Sequence, residues 1–233
     1  MSTRTALVTG ASRGLGRAIA AALADRGWRL VVDGRDAARL SAAVGTLRRP
    51  ELVNAVPGDV ADPAHRVALA TAVGPRLDLL VNNASELGPS PLPKLADLDP
   101  GDLQRILTVN AVAPLALVQA VLPALRAAHG SVVDISSDAA VEAYAGWGGY
   151  GASKAALDQL TAVLAVEEPE LRVFAVDPGD MATDMHQAAF PGEDISDRPA
   201  PETVIPALLA LLDGDLPNGR YRAADVTPAG AAR

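Results

Sequence analysis

Short apolar segments alternate along the chain with longer segments that have a helical pattern. The short segments are apolar throughout and lack a regular polar alternation, which predicts strands covered on both faces. In chain order the predicted strands are Thr5–Thr9, Arg29–Asp33, Leu52–Val56, Asp78–Asn82, Ser131–Ser136 and Arg172–Asp177, with a weaker one at Gly219–Arg222.

The segments between these strands predict helices. They are Gly14–Arg26, Asp36–Thr46, Pro63–Val73, Asp102–Ala128, Tyr150–Glu167 and Pro201–Leu212. The repeated order of strand and helix predicts an α/β fold with a parallel sheet of right-handed βαβ units. No long linker interrupts this order, so residues 1–233 are expected to form one domain. The loop at about 178–200 is too long for a simple connection and is a candidate lid over a ligand.

The composition restricts the class of protein. Of the 233 residues, 49% are hydrophobic, none is Cys, and the formal net charge is −8. Without Cys the chain has no disulfides and no thiolate metal site, and its three scattered His residues lack ligand spacing, so no metal is expected. The negative charge and the lack of a basic run argue against nucleic acid as a partner.

The chain is also expected to be cytoplasmic and to have no membrane segment. The N-terminal stretch MSTRTALVTG leads directly into a strand and has no signal-peptide core. The longest apolar candidate, Ala111–Leu125, is shorter than the ~20 residues of a membrane span and is interrupted by Pro114 and Pro123.

A glycine-rich turn follows the first predicted strand and opens the first predicted helix. Its sequence is VTGASRGLG, with Gly10, Gly14 and Gly16. These glycines allow a tight turn and the close approach of a phosphate to free N–H groups at the helix N-terminus. By itself the turn is a moderate signal, because an ordinary strand–helix connection can also be glycine-rich.

The second strand ends in VVDGRD, where a dinucleotide site often has a carboxylate for the ribose 2′-hydroxyl. Gly34 takes that position and Arg35 follows it. A guanidinium without the carboxylate favours a 2′-phosphate, and Arg13 in the glycine turn can add a second positive charge. Two observations oppose this interpretation: Asp33 is adjacent, and Arg35 is also compatible with a solvated surface residue.

Polar residues follow the third and fourth strands as well. In GDVAD, Asp59 is a candidate acceptor for an adenine amino group, whereas Asp62 precedes Pro63 and is typical of a helix N-cap. In VNNAS, Asn82 is interpreted mainly as a brace of the cofactor-binding edge.

Three further features lie in the second half of the chain. Pro114, four residues after Asn110, has no N–H, so the Asn110 carbonyl loses its helical donor and a kink is expected. The motif DISSDAA brings hydroxyl groups to the same sheet edge as the glycine turn. Tyr150 and Lys154 are one helical turn apart, so the phenol and the ammonium share a face.

Together, in this order, these motifs resemble the short-chain dehydrogenase/reductase family. The matching segments are TGASRGLG, Asp59–Val60, NNAS, Asn110, ISS, YGASK and PGDMAT, which extend from Thr9 to Thr183. Two segments differ from the family pattern. Ser85 replaces the glycine of NNAG, and the chain lacks the usual glycine-rich C-terminal ending, which bears on the family's common tetramer contact.

The resemblance implies a Rossmann-type, doubly wound parallel sheet of about seven strands with helices on both faces. It implies a catalytic tetrad of Asn110, Ser137, Tyr150 and Lys154. It also implies a set of cofactor-binding residues: Gly10, Ser12, Arg13, Gly14, Leu15, Gly16, Arg35, Asp59, Val60, Asn82, Ala84, Tyr150, Lys154, Pro178, Gly179 and Thr183.

The function expected from the resemblance and from Arg35 is the NADPH-dependent reduction of a small ketone or aldehyde. Tyr150 would protonate the carbonyl oxygen, and the ammonium of Lys154 would stabilise its phenolate. Alternatives are an NAD-dependent alcohol dehydrogenase and a non-catalytic dinucleotide-binding redox sensor. A homodimer, with a homotetramer as the alternative, is expected because family members usually pair through the two long helices. The candidate substrate wall comprises Tyr144, Trp147, Met181, Met185 and Phe190.

Overall fold

A computed structural model describes residues 3–227 of the chain. Seven strands form one parallel sheet in the order β3-β2-β1-β4-β5-β6-β7, which confirms the doubly wound fold. The strands are β1 (Thr5–Val8), β2 (Arg29–Gly34), β3 (Val53–Pro57), β4 (Leu79–Asn82), β5 (Ser131–Ile135), β6 (Arg172–Asp177) and β7 (Gly219–Arg222).

Each predicted helix is present, and most ends differ from the prediction by one or two residues. The helices are α1 (Gly14–Asp25), α2 (Ala37–Gly45), α3 (Pro63–Val73), α4 (Pro100–Leu107), α5 (Ala113–Ala128), α6 (Gly148–Glu167), α7 (Asp184–Ala189) and α8 (Ile205–Asp213). Helix α7 lies within the predicted lid loop of residues 178–200. The carboxylate of Asp62 accepts the Ala64 N–H (2.9 Å), which confirms Asp62 as the N-cap of α3.

Two hydrophobic clusters, one on each face of the sheet, explain why the strands are apolar throughout. In β1, Ala6 and Val8 belong to the cluster that α1 and α8 cover. Leu7, which points the other way, belongs to the cluster covered by α3 and α5. Successive residues of a strand face opposite sides, so a strand buried on both sides requires apolar residues at every position.

The order of the strands reverses between β1 and β4. From β1 the chain continues outward to β2 and β3, and it then returns to β4 on the other side of β1. In open parallel sheets, ligands bind outside the carboxyl ends of the strands at such a reversal. Here the glycine turn follows β1 and the sequence Asn83–Ala84 follows β4.

The prolines at positions 114 and 123 do not interrupt the long helix, in agreement with the prediction of one helix over Asp102–Ala128. One continuous helical segment extends over Pro100–Ala128, because a π-helical turn at Thr108–Val112 joins α4 to α5. The Ala113 N–H bonds the Thr108 carbonyl five residues back, and this wider turn accommodates Pro114. The segment is long and apolar enough to cross a membrane, but half of its most apolar window is buried in the protein.

Candidate active site

One cleft of about 640 Å³ opens at the carboxyl edge of the sheet. Its walls come from the loops after the first six strands and from α6, and its volume is typical of small-molecule sites. All but three of the predicted site residues line it, namely Gly10, Ser12, Arg13, Gly14, Leu15, Arg35, Asp59, Val60, Ala84, Ser137, Tyr150, Lys154, Pro178, Gly179 and Thr183.

The glycine turn is held open by hydrogen bonds from neighbouring strands. Gly10 has a φ of 67°, and its N–H donates to Asp33 Oδ1 (2.6 Å) at the end of β2. The side-chain amide of Asn83 donates to the carbonyl of Thr9 (2.8 Å). Helix α1 begins after Arg13 with no side-chain cap and no acidic residue in its first turn. Its first N–H groups are therefore suited to an anion such as a phosphate.

Gly16 does not line the cleft, although the sequence grouped it with the cofactor-binding residues. A Cβ on Gly16 would lie 2.4 Å from the Gly10 carbonyl oxygen and 2.4 Å from Asn83 Nδ2. The glycine is required because α1 packs directly against the turn that precedes it. Its role is to let the helix pack closely on the turn after β1, as the third glycine of such turns does.

Positive side chains gather at the β2 end of the cleft. Arg35 lies in the wall and is 62% exposed, with one nitrogen 3.3 Å from the Glu86 carboxylate. Arg13 is paired with Asp184, and Arg39 also lines this end. The carboxylates that pair with these guanidinium groups are shared, since Asp184 lies near both Arg13 and Arg39 and Glu86 lies near both Arg35 and Arg105. A phosphate that binds here would therefore meet guanidinium groups able to contact it.

Asp33, which the sequence left as a competing ribose ligand, is committed to the structure. Its side chain is buried, and one oxygen accepts the Gly10 N–H. The other oxygen lies 3.1 Å from His65 Nε2, on α3. Since both oxygens are bonded inside the protein, Asp33 positions the glycine turn and does not oppose the interpretation of Arg35.

The predicted residues after β3 and β4 have different positions. Asp59 lines the cleft, with one oxygen accepting the Ala61 N–H (2.9 Å), and Ala84 lines it as well. Asn82 does not reach the cleft. It is buried and donates to Asp134 Oδ1 (2.7 Å), so it braces β4 against β5, while Asn83 forms the cleft wall.

Tyr150 and Lys154 lie together at the opposite end of the cleft, on the first turns of α6. The Lys154 ammonium is 5.5 Å from the centroid of the Tyr150 ring and donates to the Ile135 carbonyl (2.7 Å). Lys154 is among the largest fully buried side chains of the described residues. The predicted pairing on one helix face is therefore present.

The pKa of Tyr150 is raised, not lowered as the pairing with Lys154 suggested. Burial of the phenol raises this pKa to about 12, and the negative charges of Asp138 and Asp177 add to the rise. The hydroxyl of Ser85 acts in the opposite direction. Tyr150 consequently stays protonated at neutral pH, and its proton can be donated only where positive charge stabilises the phenolate that forms.

Burial has the opposite effect on the ammonium of Lys154, because it disfavours the charged form. It lowers the pKa of Lys154 to about 8, against the attraction of Asp134 and Asp158. The lysine is therefore still mostly protonated at neutral pH, but it is close to losing that proton.

Ser137 lies two residues after strand β5 and caps a short helical turn. Its hydroxyl donates to Asp138 Oδ1 (2.9 Å) and accepts the Ala139 N–H (3.2 Å). Asp138 also accepts the phenol of Tyr144 (3.1 Å). The sequence did not indicate Asp138, whose carboxylate fixes both the Ser137 hydroxyl and the rim of the cleft.

Asn110 is buried in the π-helical turn and does not line the cleft. Its side chain accepts the Glu86 N–H (2.7 Å) and donates to the Glu86 carbonyl (2.8 Å) and to the Ser153 hydroxyl (2.9 Å). The side chain therefore ties the loop after β4 to α6. Only its backbone carbonyl remains for the water-holding role that the sequence suggested.

Residues 4–194 of this chain match the family described as short chain dehydrogenase. The chain belongs to this family. This chain is 34% identical over 227 residues to the protein named "Uncharacterized oxidoreductase YciK" of Escherichia coli (strain K12). The match covers 92% of this chain and 88% of that protein. The chain is 37% identical over 199 residues to the sepiapterin reductase of Mus musculus, covering 78% and 76%.

Solved structures of relatives superpose over nearly the whole dehydrogenase. A short chain dehydrogenase of Shigella flexneri 2a, complexed with NADP, has a TM-score of 0.89 at 31% identity and covers 96% of this chain and 98% of its own. One from Escherichia coli CFT073, complexed with NADPH, has a TM-score of 0.88 at 33% identity and covers 96% and 97%. The protein is thus an oxidoreductase acting on CH–OH and carbonyl groups.

The dehydrogenase has an apolar, aromatic wall beside Tyr150. Trp147 packs edge-on against Tyr150 (centroids 5.7 Å apart), and Phe190 packs on Trp147 (5.9 Å). Trp147, Met181 and Met185 line the cleft, whereas Tyr144 is exposed at its rim. Of the residues that the sequence proposed for the substrate wall, these three therefore contact the cleft directly.

Proposed function

We propose that this dehydrogenase is an NADPH-dependent reductase of a small ketone or aldehyde, with Tyr150 as the general acid. The observation that carries the proposal is the protonated phenol of Tyr150 beside the Lys154 ammonium, in the same cleft as a guanidinium-rich end. Cytoplasmic location is part of the proposal, since NADPH is supplied there.

Three features support NADPH over NADH. Arg35 and Arg13 line the cleft and suit a 2′-phosphate, which NADH lacks, whereas the uncapped start of α1 suits the pyrophosphate of either cofactor. Asp33, the carboxylate that would disfavour this phosphate, is turned inward onto Gly10 and His65. Relatives from Shigella flexneri and Escherichia coli are described as complexes with NADP and NADPH.

The chemistry that NADPH supplies when bound is hydride donation to the carbonyl carbon. Tyr150 donates its phenolic proton to the carbonyl oxygen as negative charge develops there. Ser137, released from Asp138 by rotation of its hydroxyl, donates a hydrogen bond to the same oxygen. Lys154 would stabilise the phenolate that forms and would hold the ribose of the cofactor, and the Asn110 carbonyl would hold a water that returns a proton.

At neutral pH the phenol of Tyr150 carries the proton that reduction of a carbonyl requires. A phenol with a pKa of about 12 is protonated at neutral pH and is a poor base until further positive charge reaches it. The cleft wall of Trp147, Met181 and Met185, with Phe190 packed against Trp147, supports an apolar or aromatic carbonyl compound as the substrate.

The cofactor preference is tested by titrating the protein with NADPH and NADH and following tryptophan quenching. Arg35→Ser is expected to weaken NADPH binding about 10-fold or more, through loss of a charge-assisted contact, and to leave NADH binding within about twofold. Arg105→Ser is the matched control, because Arg105 also faces the Glu86 carboxylate (3.8 Å) but does not line the cleft. Equal weakening by both substitutions would contradict the role of Arg35.

The reaction is tested with benzaldehyde, acetophenone, hexanal and cyclohexanone, by following NADPH consumption. Tyr150→Phe is expected to lower kcat by at least about 100-fold, since the proton donor is lost. NADPH binding should remain, because the ring and its packing on Trp147 are kept. Turnover by Tyr150→Phe at the wild-type rate would contradict the role of Tyr150 as the general acid. Binding of NADPH by the wild type with no turnover of any of these compounds would favour a redox sensor.

A homodimer is also proposed, formed through the outer faces of α5 and α6. Leu115 of α5 and Val163 and Val166 of α6 are exposed apolar residues on these helices. Aliphatic side chains on neighbouring helices suit an isologous contact with a second copy of the chain.

A further inference from the structure

Arg220, on the last strand β7, reaches across the sheet edge to the elements that carry the proposed catalytic residues. Its Nη2 donates to the backbone carbonyl of Ser137 (2.8 Å), at the end of β5. Its Nε donates to Asp158 Oδ2 (2.9 Å), on α6. The same Nη2 lies 3.5 Å from Asp177 Oδ2, at the end of β6.

Each of these contacts leads to a different part of the active site. Asp158 is one helical turn after Lys154, on the helix that also carries Tyr150. Asp177 accepts the Gly179 N–H (3.0 Å) with its other oxygen, and so holds the start of the loop that lines the cleft after β6. One guanidinium therefore joins the loop of Ser137, the helix of Tyr150 and Lys154, and the Pro178–Gly179 loop.

The contact with Ser137 bears directly on the position of its hydroxyl. The Ser137 carbonyl accepts the Ala140 N–H from its own short turn and the Arg220 guanidinium from outside that turn. The hydroxyl is bonded only within the turn, to Asp138 and Ala139. The bond from Arg220 is different, because Arg220 also bonds Asp158 on α6. It therefore links the turn of Ser137 to that helix.

The environment of Arg220 makes these contacts strong. The side chains of Asp158 and Asp177 are 14% and 4% exposed, and that of Arg220 is 27% exposed. Hydrogen bonds between charged groups that are shielded from water are stronger and shorter than neutral ones. The planar guanidinium presents several donors in a fixed arrangement, which an ammonium cannot reproduce.

We propose that Arg220 is a positioning residue that sets the Ser137 hydroxyl relative to the Tyr150 phenol and so supports proton transfer. The proposal rests on the proposed catalytic role of Ser137. Arg220 does not line the cleft and is not expected to contact the substrate or the cofactor. Its effect should therefore appear in kcat and should depend on the presence of the Ser137 hydroxyl.

The first experiment compares Arg220→Met with Arg222→Met by following NADPH consumption with benzaldehyde. Arg222 is the matched control, because it is on the same strand, more exposed, and 3.8 Å from the same Asp177 carboxylate, but does not bond Ser137 or Asp158. Arg220→Met is expected to lower kcat about 10- to 100-fold, as small displacements of a catalytic group do, and Arg222→Met less than about threefold. The Kd of NADPH should stay within about threefold for both.

The second experiment repeats Arg220→Met in a Ser137→Ala background. If Arg220 acts through the hydroxyl, the added substitution lowers kcat by less than about twofold there, although its effect on Tm is unchanged. A merely structural role would give the same loss of kcat in both backgrounds and would overturn the proposal.

Two controls keep the result interpretable. Arg220→Lys retains the charge but cannot bond Asp158 and the Ser137 carbonyl together, so it should lose kcat while the Tm stays near that of the wild type. Full activity of a folded Arg220→Lys variant would overturn the proposal. If Ser137→Ala alone keeps the wild-type kcat, the proposed role of Ser137 fails, which is distinct from a failure of Arg220.

Discussion

At the residue scale, Lys154 combines a proposed catalytic role with a cost to stability. Its ammonium is buried, donates to the Ile135 carbonyl, and has a pKa lowered to about 8 by burial. The unfolded chain would hold the same proton with the ordinary pKa of 10.5. The folded state therefore binds this proton less tightly, so a charged Lys154 opposes folding.

Replacement of this lysine should stabilise the protein while it removes activity. Below pH 8 the buried charge costs on the order of 3 kcal/mol, so Lys154→Met is expected to raise the Tm at pH 7 by roughly 5–10 °C. The cost falls as the pH rises from 8 to 10.5, because the folded protein releases the proton first and the unfolded chain later. The difference in Tm between variant and wild type should accordingly shrink over that interval.

Lys94→Met is the control for this measurement, since Lys94 is the only other lysine and is exposed. It should leave the Tm and the turnover close to those of the wild type at every pH. A lower Tm for Lys154→Met at pH 7 would mean that the lysine stabilises the fold through Asp134 and Asp158, contrary to the argument from burial.

At the scale of an element, the glycine turn and α1 pack so closely at Gly16 that no side chain fits between them. A Cβ at position 16 would meet the Gly10 carbonyl and the Asn83 amide at 2.4 Å. Both groups belong to the hydrogen-bonded frame of the turn, so they cannot move without displacing Gly10 from Asp33. The start of α1 and the site for phosphate would move with them.

Gly16→Ala is therefore expected to weaken NADPH binding at least about 10-fold and to lower the Tm, as overpacking of a tight contact does. Gly45→Ala is the comparison variant, because Gly45 ends α2 and a Cβ there would meet nothing within 4 Å. It should leave binding unchanged and add up to about 1 kcal/mol of stability. Wild-type affinity in a folded Gly16→Ala protein would show that the turn adapts more easily than its contacts indicate.

At the scale of the whole molecule, the sheet leaves one apolar helical surface open. Leu115, Val163 and Val166 are exposed on α5 and α6, and Val166 is 81% exposed. Burying such residues against a second copy would remove their apolar surface from water, which favours association. Helix α6 also carries Lys154 and Tyr150 on its inner side, so a dimer would also support the active site.

Light scattering after gel filtration is expected to give twice the 23.8 kDa mass of one chain. Val166→Asp should shift the protein to the monomer, because a twofold contact would bring two carboxylates together without partners. Val67→Asp is the control, because Val67 is also exposed but lies on α3. The Val67→Asp protein should remain a dimer. A monomeric wild type, or the same dimer with Val166→Asp, would contradict the proposed surface.

The chain order and the hydrophobic pattern were sufficient to predict most of the architecture. Strands that are apolar at every position need cover on both faces, and the helices between them supply it, so the parallel sheet follows from local patterns. The pairing of Tyr150 with Lys154 also follows from the sequence, because residues four apart lie on one face of a helix. The N-cap of α3 was predictable for a similar reason, since Asp62 and Pro63 are adjacent.

Other features depended on residues that are distant in the chain and could be decided only by the tertiary structure. Examples are the hydrogen bonds of Asp33 with Gly10 and His65, of Asn82 with Asp134, and of Arg220 with Ser137. The residues that these bonds join are 23 to 83 positions apart in the sequence. The pKa of Tyr150 was mispredicted because the nearby ammonium was visible in the sequence, whereas burial and the charges of Asp138 and Asp177 were not. Sequence spacing determines what lies on one helix face, but burial and long-range charge arise only when separate elements pack together.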